Sequence, residues 1–315
     1  MAARTMPLLR PTHVLGLGLV LLLMWEPAPS TGYAIGQSKF GKIEKFPYQV
    51  MLIGKQLWRK RILCGGTLLD RRWILTAGHC TMGVTHYDVY LGTKSVEDTE
   101  QLGGLVIRSN KFIVHEQFNP ETAANDIALV KLPMDVAFTT RIQAASLPSR
   151  QRHEQYTGMS VVASGWGAMV EMSNSDSMQY TELKVISNEE CAQEYDVVTS
   201  GVLCAKGLKD ETVCTGDSGG PLVLKNTQTV VGITSFGPAD GCETNIPGGF
   251  TRVTNYLDWI ESKTGGLTAP QRVHSTQHYV RPHQTHQEQQ QHQHPHQQQQ
   301  QQHQHQHPYS DDNLI

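Results

Sequence analysis

Hydrophobic positions along the middle of this chain fall in short runs separated by Gly, Pro and Asn, not on long helical faces. Tyr48–Ile53, Gly66–Leu69, Trp73–Thr76, Tyr87–Leu91, Ile127–Leu132, Ser160–Gly165, Pro221–Leu224 and Val230–Ser235 are alternating or continuous apolar runs of strand length. Their recurrence predicts an all-β domain, a sandwich or a barrel. Periodicity does not choose between the two. One helix is expected over Thr254–Lys263, with Tyr256, Leu257, Trp259 and Ile260 on its packed face and Gly265 after its last turn.

The two ends break this pattern. Arg4 and Arg10 precede an apolar run from Val14 to Trp25, and a Pro/Ser-rich stretch follows from Glu26 to Gly32. The run is shorter than the about 20 residues a membrane-spanning helix needs, so residues 1–34 read as a secretion signal, with or without a very short propeptide, and no membrane span is expected. The expected domain covers residues 35–265. From residue 266 to 315 Gln and His dominate and aliphatic side chains nearly vanish, so the tail is expected to be disordered. His292, His294, His296, His303, His305 and His307 alternate with other residues. In a chain without fixed geometry such imidazoles imply weak metal binding at most, and a repeat expansion without a specific role explains them better. They would also gain positive charge below about pH 6.5.

Composition adds little. The net charge of -3 gives nucleic acid no basic surface to bind. No N-x-Ser/Thr sequon is present. The six cysteines form no CxxC pair, which argues against a zinc site, and secretion makes them candidates for disulfides whose pairing the sequence alone leaves open.

The chemistry concentrates in three places. Cys214-Thr215-Gly216-Asp217-Ser218-Gly219-Gly220-Pro221-Leu222 presents one serine in a glycine-dense turn. A serine hydroxyl is a weak nucleophile unless a base takes its proton and a third group orients that base. Leu75-Thr76-Ala77-Gly78-His79-Cys80 supplies a histidine, and Asn125-Asp126-Ile127-Ala128-Leu129 supplies an aspartate among apolar neighbours. In the order His, Asp, Ser these motifs resemble the chymotrypsin-like, trypsin-fold serine endopeptidases over roughly residues 35 to 263.

The resemblance implies two antiparallel six-stranded β-barrels with a C-terminal helix and the site in the cleft between them. It implies His79 as general base, Asp126 as its orienting partner and Ser218 as nucleophile, with the N–H groups of Gly216 and Ser218 as oxyanion hole. Ser235 would support Asp126, and Ser235, Phe236 and Gly237 would pair with the substrate backbone. The implied disulfides are Cys64–Cys80, Cys191–Cys204 and Cys214–Cys242. The implied pocket has Thr212 at its base, Val213 beside it, and Gly237 and Gly248 as walls that leave the mouth open. Thr212 carries no charge to pair with Lys or Arg, so a large apolar or aromatic P1 side chain is expected.

The activation end departs from the family, whose new amino terminus usually follows a basic residue. Here Tyr33-Ala34 precedes Ile35-Gly36-Gln37-Ser38. Signal cleavage after Ala34 would release Ile35 directly to pair with Asp217. Cleavage near Ser30 with later trimming, or an end that never docks, are the other outcomes. The expected protein is a secreted, extracellular, monomeric enzyme without cofactor or catalytic metal. It would act on protein or peptide substrates and meet protein inhibitors of proteases. The competing class is a catalytically silent homologue that binds proteins or surfaces.

Overall fold

The computed structural model describes residues 39–57, 60–97, 99–101, 103–150, 156–167, 178–207, 212–214, 216–238 and 245–267. The expected signal segment, Ile35, Cys242 and the tail from residue 268 onward lie outside these residues.

The first sheet holds β2 (Gln49–Gln56), β3 (Arg61–Leu68), β4 (Trp73–Thr76), β5 (Val84–Leu91), β6 (Leu105–Ser109), β7 (Lys111–Val114) and β8 (Ala128–Lys131), after a two-residue β1 (Lys39–Phe40) that belongs elsewhere. Its order is β6-β5-β2-β3-β4-β8-β7, with every pairing antiparallel. Only Asn110 separates β6, which pairs with β5, from β7, which pairs with β8. One strand thus bends at that residue and joins the two edges of the sheet into a barrel. Ser109 Oγ donates to Lys131 O across the bend at 2.7 Å. Val50, Leu52, Leu68, Ile74, Tyr87, Val89 and Leu129 are all inaccessible to solvent inside it.

The second sheet holds β9 (Ser160–Gly165), β10 (Gln179–Ile186), β11 (Val202–Gly207), β12 (Pro221–Leu224), β13 (Val230–Phe236) and β14 (Gly248–Arg252). β9 pairs with both β12 and β10, so six strands close completely, and β1 hangs on the outside of β10 through Lys39 and Tyr180. Val161, Leu203, Leu222, Val231 and Phe250 fill the interior. Each such side chain stabilises the fold by about 1.5–3 kcal/mol relative to exposure.

Strands β4, β9 and β12 coincide with the spans expected from the apolar runs, and β2, β3, β5, β8 and β13 shift by a few residues. Strands β1, β6, β7, β10, β11 and β14 fall outside those runs. The expected helix at the chain's end begins as a 3₁₀ turn, Val253–Tyr256, and continues as the α-helix Leu257–Thr264. Gly265 ends it in the left-handed region, φ +77°, and donates its N–H to Glu261 O.

Two disulfides have both halves among the described residues. Cys64–Cys80 ties β3 to the turn after β4, and Cys191–Cys204 ties the short helix Asn188–Cys191 to β11. Cys214 is also disulfide-bonded, and its expected partner Cys242 lies outside the described residues. The barrels meet through buried polar contacts. Ser164 Oγ donates to Gln49 Oε1 at 2.7 Å, and Gly65 N–H donates to Ser218 O at 2.7 Å. Gly219 lies in the left-handed region, φ +79°, where any side chain would collide with Thr76 and Gly65 of the facing barrel.

Candidate active site

The first barrel positions the histidine and the aspartate. β4 ends at Thr76, and a 3₁₀ turn begins at His79. Three contacts fix that turn: the Cys64–Cys80 bond, Thr81 Oγ1 donating to Gly78 O at 2.7 Å, and Tyr87 Oη donating to Cys80 O at 2.7 Å. Asp126 precedes β8 and is 1% exposed. A carboxylate so deeply buried needs donors, and it has three. Its Oδ1 accepts the His79 backbone N–H at 2.8 Å, and its Oδ2 meets His79 Nδ1 at 2.7 Å and Ser235 Oγ at 2.6 Å. With Nδ1 donating to the carboxylate, Nε2 carries the lone pair and can take a proton.

The serine sits where the barrels touch. Asp217 N–H donates to Cys214 O, Gly220 N–H to Asp217 O, and Gly219 N–H to Thr234 O, which folds the segment into consecutive tight turns. Ser218 is half-buried, and its carbonyl lies 3.5 Å from Cys80 Sγ, beside the histidine turn. Gly216 has φ +99°, a conformation that a Cβ would strain. Among the described residues no acceptor takes the N–H of Gly216 or of Ser218, and Ser218 Oγ is not hydrogen-bonded to His79. Such contacts commonly tighten only around bound substrate.

Asp217 points the other way, into the second barrel. It is 1% exposed, and its carboxylate accepts the N–H groups of Gly167 at 2.8 Å and Cys214 at 2.9 Å. Burial outweighs these two donors and raises its pKa to about 7. Ile35, expected to pair with it, lies outside the described residues.

Of the residues expected to line a pocket, Val213 lies against Gly237 and Gly248. Thr212 is fully buried, and its Oγ1 has no hydrogen-bond partner among the described residues. Phe236 packs edge-on against Tyr195, ring centroids 5.0 Å apart, and Tyr195 Oη donates to Pro247 O at 2.7 Å. The two wall glycines stand beside Val213. Val213 Cγ2 lies 2.7 Å from where a Cβ on Gly248 would stand and 3.8 Å from that of Gly237. A side chain at Gly248 would crowd Val213, so glycine there leaves the valine its room.

Sequence reasoning missed four residues around the carboxylates. Gly167 supplies an N–H to Asp217, and Thr251 Oγ1 donates to Asp126 O at 2.7 Å. Asn125 and Tyr256 hold the backbone just before Asp126. Asparagine ahead of the aspartate was a usable signal, since asparagine tolerates the left-handed backbone better than most residues. The other three contacts are tertiary and leave no mark in the local sequence. Cys64, His79 and Cys80 place two sulfurs and a ring nitrogen within 4.8 Å of one another. The sulfurs are joined to each other, so neither is a thiolate and the group is no metal site.

Two antiparallel barrels, with a histidine–aspartate pair on one and a glycine-cradled serine on the other, define a serine endopeptidase of the chymotrypsin-like class. The sequence profile of the Trypsin family matches residues 35–260, and the chain belongs to that family. It is similar to the collagenase of Hypoderma lineatum, 40% identical over 225 residues that span 70% of this chain and 83% of that protein. It is also similar to brachyurin of Leptuca pugilator, 38% identical over 222 residues spanning 70% and 94% of the two chains. A solved HL collagenase structure superposes with a TM-score of 0.67 at 37% identity, covering 74% of this chain and all of that one.

Proposed function

We propose that this endopeptidase works through Ser218, His79 and Asp126 and cleaves after large apolar or aromatic residues. Ser218 Oγ attacks the scissile carbonyl while His79 Nε2 takes its proton. The imidazolium is stabilised by Asp126 and returns the proton to the leaving amine. The Gly216 and Ser218 N–H groups receive the oxyanion. The observation that carries this reading is the three-donor arrangement at Asp126, which fixes the ring with Nδ1 inward and Nε2 available. Apolar P1 selection is supported by an uncharged Thr212, which would leave a basic P1 side chain desolvated and unpaired. We further infer secretion, and activation by an ammonium at Ile35 that reaches Asp217. A buried carboxylate with its pKa pushed up to about 7 is a site that a cation relieves.

A serine-directed fluorophosphonate should label the secreted protein and fail on Ser218→Ala. Peptides with Phe, Tyr, Leu or Met at P1 should be cut far faster than their Arg or Lys counterparts. Efficient Arg cleavage with none after Phe or Leu would overturn the pocket assignment. Amino-terminal sequencing of the active protein should begin at Ile35; any other start rejects the activation assignment. Collagen, for which the Hypoderma relative is named, is a macromolecular substrate worth assaying beside the peptides.

A further inference from the structure

Asn125, the residue before Asp126, has φ +54°, a backbone region that non-glycine residues seldom occupy. Its carbonyl accepts the Ile127 N–H at 2.8 Å, so Asp126 is the middle residue of a one-residue turn. The direction of the Asp126 side chain therefore depends on how firmly Asn125 holds its conformation. Both ends of its amide are engaged. Nδ2 donates to Gln117 O at 2.9 Å, and Oδ1 accepts from Tyr256 Oη at 3.0 Å. On the far side Thr251 Oγ1 holds the Asp126 carbonyl at 2.7 Å. Tyr256 and Thr251 belong to the second barrel's closing segment, whereas Asp126 leads into β8 of the first.

Tyr256 is itself held in place. It is 7% exposed and meets the His115 ring edge-on at 5.4 Å. His115 also packs on Trp259, at 5.3 Å, and its N–H donates to Ile127 O. Trp259 Nε1 and Lys263 both bond to the Glu116 carboxylate. Burial first, and the Asp126 charge second, raise the Tyr256 pKa, so its hydroxyl remains a donor at neutral pH.

We infer that Tyr256, through Asn125, is a positioning residue for the Asp126 carboxylate, so that the helical segment Val253–Thr264 sets the aim of the histidine's partner. This rests on the reading of Asp126 as catalytic. The test compares Tyr256→Phe, Asn125→Gly and Asn125→Asp with the wild type and with Asp126→Asn, all normalised by active-site titration. Tyr256→Phe should lower kcat about tenfold per titrated site, with KM within twofold. Asn125→Gly, which keeps the positive φ but loses both side-chain bonds, should fall at least as far, and adding Tyr256→Phe to it should cost nothing more. Asn125→Asp keeps the acceptor for Tyr256 and should recover part of the loss. If Tyr256→Phe lowers the melting temperature or the titratable fraction while kcat per site stays within twofold, the residue is merely structural and the inference fails. It fails equally if the two losses add in the double variant, a criterion that still applies should any single variant be poorly produced. A fully active Asp126→Asn would instead overturn the underlying assignment, and the inference with it.

Discussion

The two barrels contribute unequal halves of the candidate site. On the first, both oxygens of the Asp126 carboxylate have donors, from His79 and from Ser235 across the cleft, and the histidine turn is pinned by a disulfide and two hydroxyls. On the second, Asp217 is equally buried but among the described residues is met by two backbone N–H groups alone, and the buried Thr212 hydroxyl has no partner among them. Two aspartates with the same exposure thus differ in the donors that meet them. Preorganisation of the base is built into the fold, from His79 of the first barrel and from Ser235 and Thr251 of the second. The pocket and serine turn of the second retain an uncompensated cost that a later event, such as amino-terminal docking, can remove.

The largest test of this contrast is chemical. Ser218→Ala and His79→Ala should each cut peptide hydrolysis by roughly a millionfold, with the double variant little worse, because the pair acts as one unit. Next is the pH dependence of the chain with its amino-terminal segment still attached. The folded pKa of Asp217 is raised above its unfolded value, so its contribution is fully present below about pH 4 and is lost as pH rises toward 7. Denaturant titrations should show a fall of about 4 kcal/mol across that window. Asp217→Asn should flatten it, and an equally steep wild-type and variant would mean the buried charge is compensated elsewhere. A smaller effect is expected at Ser235. Its hydroxyl is one of three donors to Asp126, so Ser235→Ala should reduce kcat about tenfold, the scale of one charge-assisted hydrogen bond. The smallest concerns the orphan at Thr212. Thr212→Val removes a buried unpaired hydroxyl at nearly constant volume and should raise stability by about 1 kcal/mol, read as a melting point a few degrees higher. A destabilised Thr212→Val would show that the hydroxyl has a use and that the second barrel's half of the site is the more complete one.

Much of this fold is legible in the amino-acid sequence, but unevenly. Trp73–Thr76, Ser160–Gly165 and Pro221–Leu224 are compact apolar runs whose bounds match their strands. β14 begins Gly248-Gly249, residues of low strand propensity, and exists because β11 and β13 pair with it on both sides. β10 alternates Thr181, Leu183 and Val185 inward with Glu182 and Lys184 outward, a weak signal beside the continuous runs. At the site the split is similar. The reacting residue types stand in recognisable local motifs. The groups that aim them are contributed from far along the chain by pairings that no local pattern encodes: Thr251, Tyr256 and Gly167. The closeness of Val213 to Gly248 is likewise a fact of packing, since glycine at both walls reads in sequence only as room.

The closure of the second barrel also bears on the order in which competence arises during synthesis. β9 must pair with its neighbour β10 and with β12, which lies far downstream, where Ala163 meets Leu222. Such long-range pairing is entropically slow, and chains fold from the amino terminus as they emerge from the ribosome. β2 to β8 can therefore close while Ser218 is still untranslated. The proposed nucleophile lies three residues before β12, and β13 and β14, which complete the second ring, come later still. The histidine turn and Asp126 would stand in a closed first barrel early, but Ser218, and the Ser235 and Thr251 hydroxyls that hold Asp126, would join them only as the second barrel seals, late in the synthesis of the chain.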